Sequence, residues 1–208
     1  MPPLARQHER TTAAWFQPPA RRIAPWLATF VLIFGGCADT ERSSSPAVVL
    51  DLGGEEVHLL DRTRDHILVA IFLRTDCPIG NRYAPKISRL AAEFQSSELQ
   101  FALVYPDPNE SAEKIRQHLN DYSLDLTAYR DPHRKLVAQA QATVTPEVAV
   151  FDRQRRLIYR GRIDDQFIDF GKARPAPTKD DLRDVLVAIQ EGRKIEPATT
   201  RAIGCYIE

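Results

Sequence analysis

Apolar and polar positions follow two periods along the middle of the chain, and each switch between them marks an element. Val48-Val-Leu-Asp-Leu52, then Gly53-Gly54, then Val57-His-Leu-Leu60 predict a β-hairpin turning on two glycines. Ile67 to Leu73 is an unbroken apolar run rich in branched residues, which suits a central strand buried on both faces of a parallel sheet. From Pro78 to Phe94 the apolar residues Ile79, Tyr83, Ile87, Leu90, Ala91 and Phe94 recur at spacings of three and four, one face of a helix. Pro78 suits its first turn, where a missing N–H costs nothing, and Pro85 falls inside it and is expected to kink it.

A second buried strand is expected over Leu99 to Tyr105, stopped by Pro106-Asp-Pro108. Ser111 to Tyr122 reads as a helix through Ile115, Leu119 and Tyr122, with Ser111 or Asn109 as its cap. A short strand is expected within Leu124 to Tyr129 and a short helix over Lys135 to Ala142, opened by Asp131-Pro132. Glu147 to Phe151 and Leu157 to Tyr159 flank a polar turn and predict an antiparallel hairpin. Residues 161–178 lack periodicity; within them the irregular stretch from Phe167 to Pro177 could cover a site edge or bind a partner. Thr178 is placed to cap a last helix through Leu182, Val185, Leu186 and Ile189, ending at Gly192. Strands alternating with helices require an α/β architecture, here a central mixed sheet flanked by helices with an N-terminal β-hairpin.

The first 37 residues carry another pattern. Arg21-Arg22 precede an uncharged apolar run from Ile23 to Phe34. Twelve residues at 1.5 Å each extend about 18 Å, short of the roughly 30 Å hydrocarbon core of a bilayer, so an export signal fits better than a spanning helix. Gly35-Gly36-Cys37 follows at once and resembles the bacterial lipobox, in which the cysteine is acylated and becomes the mature N-terminus; Phe34 departs from the usual Leu. Cys37 is therefore the expected lipidation site, with a cleaved secretory signal or an uncleaved anchor as alternatives. The division expected is a signal over 1–37, a flexible tether over 38–46, one domain over 47–192, and a tail over 193–208 that carries Cys205.

Charge narrows the partners. The chain balances 28 basic against 28 acidic residues, so no electrostatic case exists for a nucleic-acid partner. Of three cysteines, Cys77 and Cys205 remain once Cys37 is assigned to lipid, and an oxidising compartment lets them pair. His58, His66, His118 and His133 are scattered, so neither metal nor cofactor is expected. Asp164 and Asp165, with Arg160 and Arg162, read as a surface ion-pair cluster in preference to a proton or substrate site.

Cys77 has the best-placed chemistry. It directly follows a buried strand and directly precedes a helix, so its sulfur faces unpaired N–H groups and the positive end of the helix dipole. Arg74, Arg82 and Lys86 add positive potential nearby in sequence, and Asp76 opposes it. A buried inert cysteine is the plain alternative.

These residues resemble the thioredoxin-like superfamily, and within it the redoxin branch of alkyl hydroperoxide reductase/thiol-specific antioxidant-like domains. Phe72-Leu-Arg-Thr-Asp-Cys77 leads into a helix with Pro85 eight positions on, which puts Cys77 in the place of the nucleophilic cysteine. Val144-Thr145-Pro146-Glu147 before a strand matches the loop with a cis-proline that faces that cysteine. Tyr159-Arg-Gly-Arg-Ile-Asp-Asp165 is similar to a segment of exported bacterial redoxins. The resemblance covers about residues 46–192. It implies a thiol-based reaction at Cys77, substrate contacts at Thr145 and Pro146, protein thiols, disulfides or a hydroperoxide as partners, and an external thiol as electron donor.

The departures matter as much. Gly80 stands where a thioredoxin carries its second cysteine, which leaves Cys205 as the candidate resolving partner. Thr75 lies two positions before Cys77, one short of the peroxiredoxin spacing. A Cys77–Cys205 bridge would close a loop worth about 5 kcal/mol in chain entropy, so a purely structural staple competes with a redox pair. The expected function is a membrane-tethered, exported thiol–disulfide oxidoreductase. A thiol peroxidase using Cys77 and Thr75, and a non-catalytic binding module, are the alternatives.

Overall fold

A computed structural model describes residues 47–208; the expected signal, the Cys37 lipidation site and the whole of the tether lie outside the described residues. The chain opens on β1 (Val48–Asp51) and β2 (Glu56–His58), paired antiparallel with Leu50 opposite Glu56. A single helical turn, α1 (Leu59–Arg62), follows where the strand was expected to continue to Leu60. In a strand Leu59 and Leu60 would point to opposite faces, whereas a helical turn buries both in one apolar layer.

The centre matches the hydrophobic pattern. β3 (Ile67–Phe72), α2 (Pro78–Phe94) and β4 (Leu99–Tyr105) form a strand–helix–strand unit whose two strands pair in parallel, with Val69 opposite Phe101. α3 (Ala112–Asp121) is capped by Ser111, whose Oγ accepts from Lys114 N at 3.2 Å. β5 is confined to Ala128–Arg130, because Leu124 leaves the expected strand to join the apolar layer under α2. α4 (Lys135–Ala140) ends two residues early, at the left-handed Gln141. Asp131 opens it, accepting from Lys135 N and Val137 N, each at 2.9 Å.

β6 (Val144–Thr145), β7 (Glu147–Phe151) and β8 (Leu157–Gly161) follow, with Thr145-Pro146 in the cis form. The main sheet runs β2-β1-β5-β4-β3-β7-β8, mixed as expected: β3 is parallel to β4 and antiparallel to β7. Alternate residues of β3 enter two separate apolar layers. Val69 and Ile71 meet α2, α3 and α5 (Asp181–Gln190), while Leu68, Ala70 and Phe72 meet α1 and α4. That two-sided burial is why this strand reads as an unbroken apolar run.

The aperiodic stretch contains a small hairpin, β9 (Phe167–Asp169) with β10 (Lys172–Ala173), which holds Ile168 and Phe170 in solvent. Thr178 does not cap α5. Its N–H and hydroxyl both donate to Asp165, at 2.6 Å each, and Lys179 N adds a third bond at 2.9 Å. Asp164 and Asp165 are buried rather than a surface cluster. Asp164 accepts from the Tyr83 hydroxyl at 2.5 Å and from Lys86 at 2.6 Å, which clamps the loop to α2. The last element, β11 (Cys205–Tyr206), pairs antiparallel with β6.

The Thr178 hydroxyl, the backbone donors and Arg174 hold the Asp165 carboxyl well below the usual carboxylate range. The folded chain thus binds that proton less readily than the unfolded chain. Its stabilisation is complete above the ordinary Asp value near 4 and fades as pH falls below it. Asp165→Asn is expected to lower the thermal midpoint at pH 7, and the gap from the parent should narrow steadily toward pH 3.

Candidate active site

The turn between β3 and α2 places Cys77 as the helix N-cap, with φ −80° and ψ 109°. Its sulfur stands where a capping oxygen normally would, accepting from Gly80 N at 3.5 Å. Cys77 N donates back to Arg74 O at 3.3 Å, and Asn81 N to Cys77 O at 3.0 Å, so the turn runs directly into the helix. The sulfur is fully buried, 0% exposed, and its thiol donates to the Thr145 carbonyl at 3.0 Å.

Cys205 covers it. The pairing of β11 with β6 sets Cys205 opposite Thr145 and Tyr206 opposite Val144. Cys205 Sγ lies 2.9 Å from Cys77 Sγ, with the Cys205 thiol as donor. Both cysteines are free thiols. Burial, followed by that donated bond, pushes the Cys205 thiol up to about 12. Nearby Arg74 works in the opposite direction and is outweighed.

Thr75, the other residue expected to act, has its hydroxyl directed elsewhere. Thr75 Oγ1 and Thr75 N both donate to Glu110 Oε1, at 2.6 and 2.7 Å. Glu110 is buried, and burial raises its pKa above the ordinary carboxylate value. Its second oxygen has no partner among the described residues. From the other side, Asn81 donates to Thr75 O at 3.1 Å and meets His118 Nε2 at 2.8 Å, and His118 Nδ1 meets the Tyr105 hydroxyl at 2.9 Å. The turn before Cys77 is therefore fixed from two directions by buried polar groups.

Of the cations near Cys77 in sequence, Arg74 pairs with Asp76 and Asp107 at 3.1 and 3.3 Å. Lys86 is held by Asp164 and Asp180. The Arg82 guanidinium sits over the Phe167 ring, 5.7 Å from its centre.

Sequence reasoning missed two carboxylates that shape the site. Glu110 fixes the turn before Cys77; its one sequence signal is an acidic residue directly before the Ser111 cap. Glu147 fixes the loop opposite, accepting from Thr143 N at 2.7 Å and Val144 N at 3.3 Å from a buried position. Nothing marks it beyond a charge beside Pro146. Gly80 also gains meaning. A Cβ there would lie 3.8 Å from Cys77 Sγ, an ordinary contact, so the absence of a second local cysteine is not a matter of space.

A fully buried N-cap cysteine on a mixed α/β sheet, faced by a Thr–cis-Pro loop, defines a thioredoxin-like thiol site. The redoxin family model matches residues 40–173, and the chain belongs to that family. No curated protein matches it. Among solved structures, an uncharacterized conserved protein from Geobacillus kaustophilus is similar at 24% identity and TM-score 0.68, covering 79% of this chain and 89% of that one. A hypothetical protein from Sinorhizobium meliloti 1021 is similar at 24% identity and TM-score 0.64, covering 79% and 91%. A secreted Mycobacterium tuberculosis disulfide oxidoreductase homologous to E. coli DsbE is similar at 16% identity and TM-score 0.50, covering 69% and 96%. These likenesses establish the fold.

Only a thiolate is alkylated at a useful rate. In the reduced folded protein at pH 8, iodoacetamide should modify Cys205 at least about tenfold more slowly than a cysteine in a short peptide, and urea should abolish the difference. Quenched peptide mapping reads both rates.

Proposed function

We propose that the protein is a thiol–disulfide oxidoreductase in which Cys77 is the nucleophile and Cys205 the resolving cysteine. The observation that carries this reading is the 2.9 Å approach of the two sulfurs across 128 positions of sequence. An S–S bond of about 2 Å lies less than an ångström of movement away. Strand pairing holds the tail there, so the approach does not depend on the sulfurs alone.

The exchange balances as two displacements. The Cys77 thiolate attacks one sulfur of a substrate disulfide; a bond forms between them, and the substrate's other sulfur leaves as a thiolate. Cys205 then loses its proton and attacks the Cys77 sulfur, expelling the substrate's second thiolate. Two electrons have passed to the substrate, and the Cys77–Cys205 disulfide remains. An external dithiol restores the pair, itself becoming a disulfide; no cofactor takes part. Run in reverse, the oxidised pair oxidises a dithiol partner.

In this scheme Thr145 and Pro146 shape the substrate contact. Thr75 acts as a positioning residue through Glu110. The Mycobacterium tuberculosis neighbour is a secreted disulfide oxidoreductase, which supports the same chemistry and an exported location. The apolar N-terminal segment and an acylated Cys37 would supply the membrane tether. Peroxide reduction draws less support, because the Thr75 hydroxyl is engaged by Glu110.

The complete burial of Cys77 favours one competing reading, a structural bridge that staples the tail. Equilibration in redox buffers separates the two. A redox pair is expected to have a potential above about −300 mV, and a lower potential identifies a staple. Cys77→Ser should abolish disulfide exchange, whereas Cys205→Ser should accumulate the mixed disulfide. Loss of hydrogen peroxide that needs Cys77 but not an added disulfide would instead identify a peroxidase. Radiolabelled fatty acid should enter the exported chain and be lost in Cys37→Ser.

A further inference from the structure

The groove in front of Cys77 is already full. The tail crosses it in two zipped steps. At the first, Arg160 N donates to Ala198 O and Thr200 N to Arg160 O, each at 3.0 Å, and the Thr200 hydroxyl meets the Tyr159 hydroxyl at 2.9 Å. At the second, Cys205 and Tyr206 pair with Thr145 and Val144, and Ile207 N donates to Thr143 O at 3.0 Å. Cys77 is inaccessible beneath this strap. Tyr206, by contrast, is 74% exposed, so the strap's outer face is not packed into the body.

Both steps are tight enough to demand glycine. A Cβ on Gly204 would collide with the Thr145 carbonyl, coming within 2.6 Å of its carbon and 3.0 Å of Pro146 N. A Cβ on Gly161 would come within 2.6 Å of Thr200 O and 2.9 Å of Thr200 N. These neighbours are backbone atoms, which cannot swing aside as a side-chain end can. Between the two steps the contact is open: a cavity of about 530 Å³ lies beside the strap, lined by Thr143, Arg160, Phe170 and Ile203 among others.

We infer that residues 198–207 are a built-in peptide ligand of the active site. They occupy, by strand pairing to Val144–Thr145, the place where a partner's chain must lie, and a partner reaches Cys77 only by displacing them. The partner that fits is an extended polypeptide segment in which glycine immediately precedes the sulfur-bearing residue, because Gly204 is the one position where the chain passes against the Thr145 carbonyl. The proposal rests on the thiol-exchange reading of Cys77. It adds the selectivity of the groove and the requirement that the strap leave.

The test uses full-length protein carrying Cys205→Ser, which keeps the strap but removes the second thiol, in a Cys37→Ser background so that Cys77 is the sole thiol. Dithionitrobenzoate probes Cys77: its thiolate attacks the reagent disulfide and releases coloured thionitrobenzoate. Labelling is expected to be slow in Cys205→Ser and at least about tenfold faster when Gly204→Val is added, since opening then no longer limits it. Ile207→Pro removes one strap hydrogen bond far from the sulfur and should accelerate labelling as well, which covers the case that the valine variant folds poorly. Circular dichroism confirms that each variant is folded. The peptide Ala-Ile-Gly-Ser-Tyr-Ile, added to the opened variant, should restore protection, and Ala-Ile-Val-Ser-Tyr-Ile should not.

Equal labelling rates with the strap intact and disrupted overturn the inference and leave Cys77 as a nucleophile. Equal protection by the two peptides overturns the glycine selectivity. A Cys77 inert in every folded variant, yet labelled in urea, overturns both the inference and the exchange reading beneath it.

Discussion

The Thr145 carbonyl accepts the Cys77 thiol at 3.0 Å and lies directly against Gly204, so three distant parts of the chain are registered on one oxygen. If that carbonyl moves, the Cys77 thiol loses its acceptor, the strap loses its seat and Cys205 no longer meets Cys77. Much of the surrounding structure keeps it in place. β7 carries the loop and is itself locked into the sheet between β3 and β8. Glu147 gathers the amides of Thr143 and Val144 from below, which leaves the pairing edge of β6 free for the tail.

Buried carboxylates recur as the means by which this fold fixes its loops. Glu110 holds the turn before Cys77, Asp131 opens α4, Asp164 ties the loop after β8 to α2, and Asp165 collects the start of α5. Each accepts from two or more donors; at Asp165 those bonds outweigh the cost of burial, whereas at Glu110 and Asp131 burial still pushes the carboxyl up. Together they build a rigid frame around a sulfur pair whose own contact is short and weakly directional. The moving part is then expected to be the tail, which is held by the two-residue β11 and has an open cavity beside it.

Placing the second sulfur on the tail changes what Gly80 means. In a local dithiol both sulfurs share one helix turn and always face each other. Here the second sulfur can leave together with the strand that carries it. Space for a local cysteine exists at Gly80, so a remote partner is a property of this sequence and not a steric necessity. The arrangement couples three events that a local pair keeps separate: exposure of Cys77, vacancy of the peptide groove and withdrawal of the resolving thiol.

Long periodic elements were legible in the sequence. α2 and β4 occupy their expected residues because each repeats one period over many positions, and the strand–Cys–Pro–helix junction is a local signal that fixes Cys77 as N-cap. Elements decided by a partner were not legible. Leu59–Arg62 turned helical to bury two adjacent leucines together, and Thr178 gave its hydroxyl to Asp165 instead of capping α5. Nothing local in the sequence set Glu110 and Glu147 apart from other carboxylates before packing enclosed them. The sequence by itself determined the central strands, the long helices and the placing of Cys77 at a strand–helix junction, because these follow from local periodicity and chain geometry. Only the tertiary structure decided that Cys205 meets it, since a two-residue strand carries no period and its pairing exists only once a loop of more than a hundred residues has folded back.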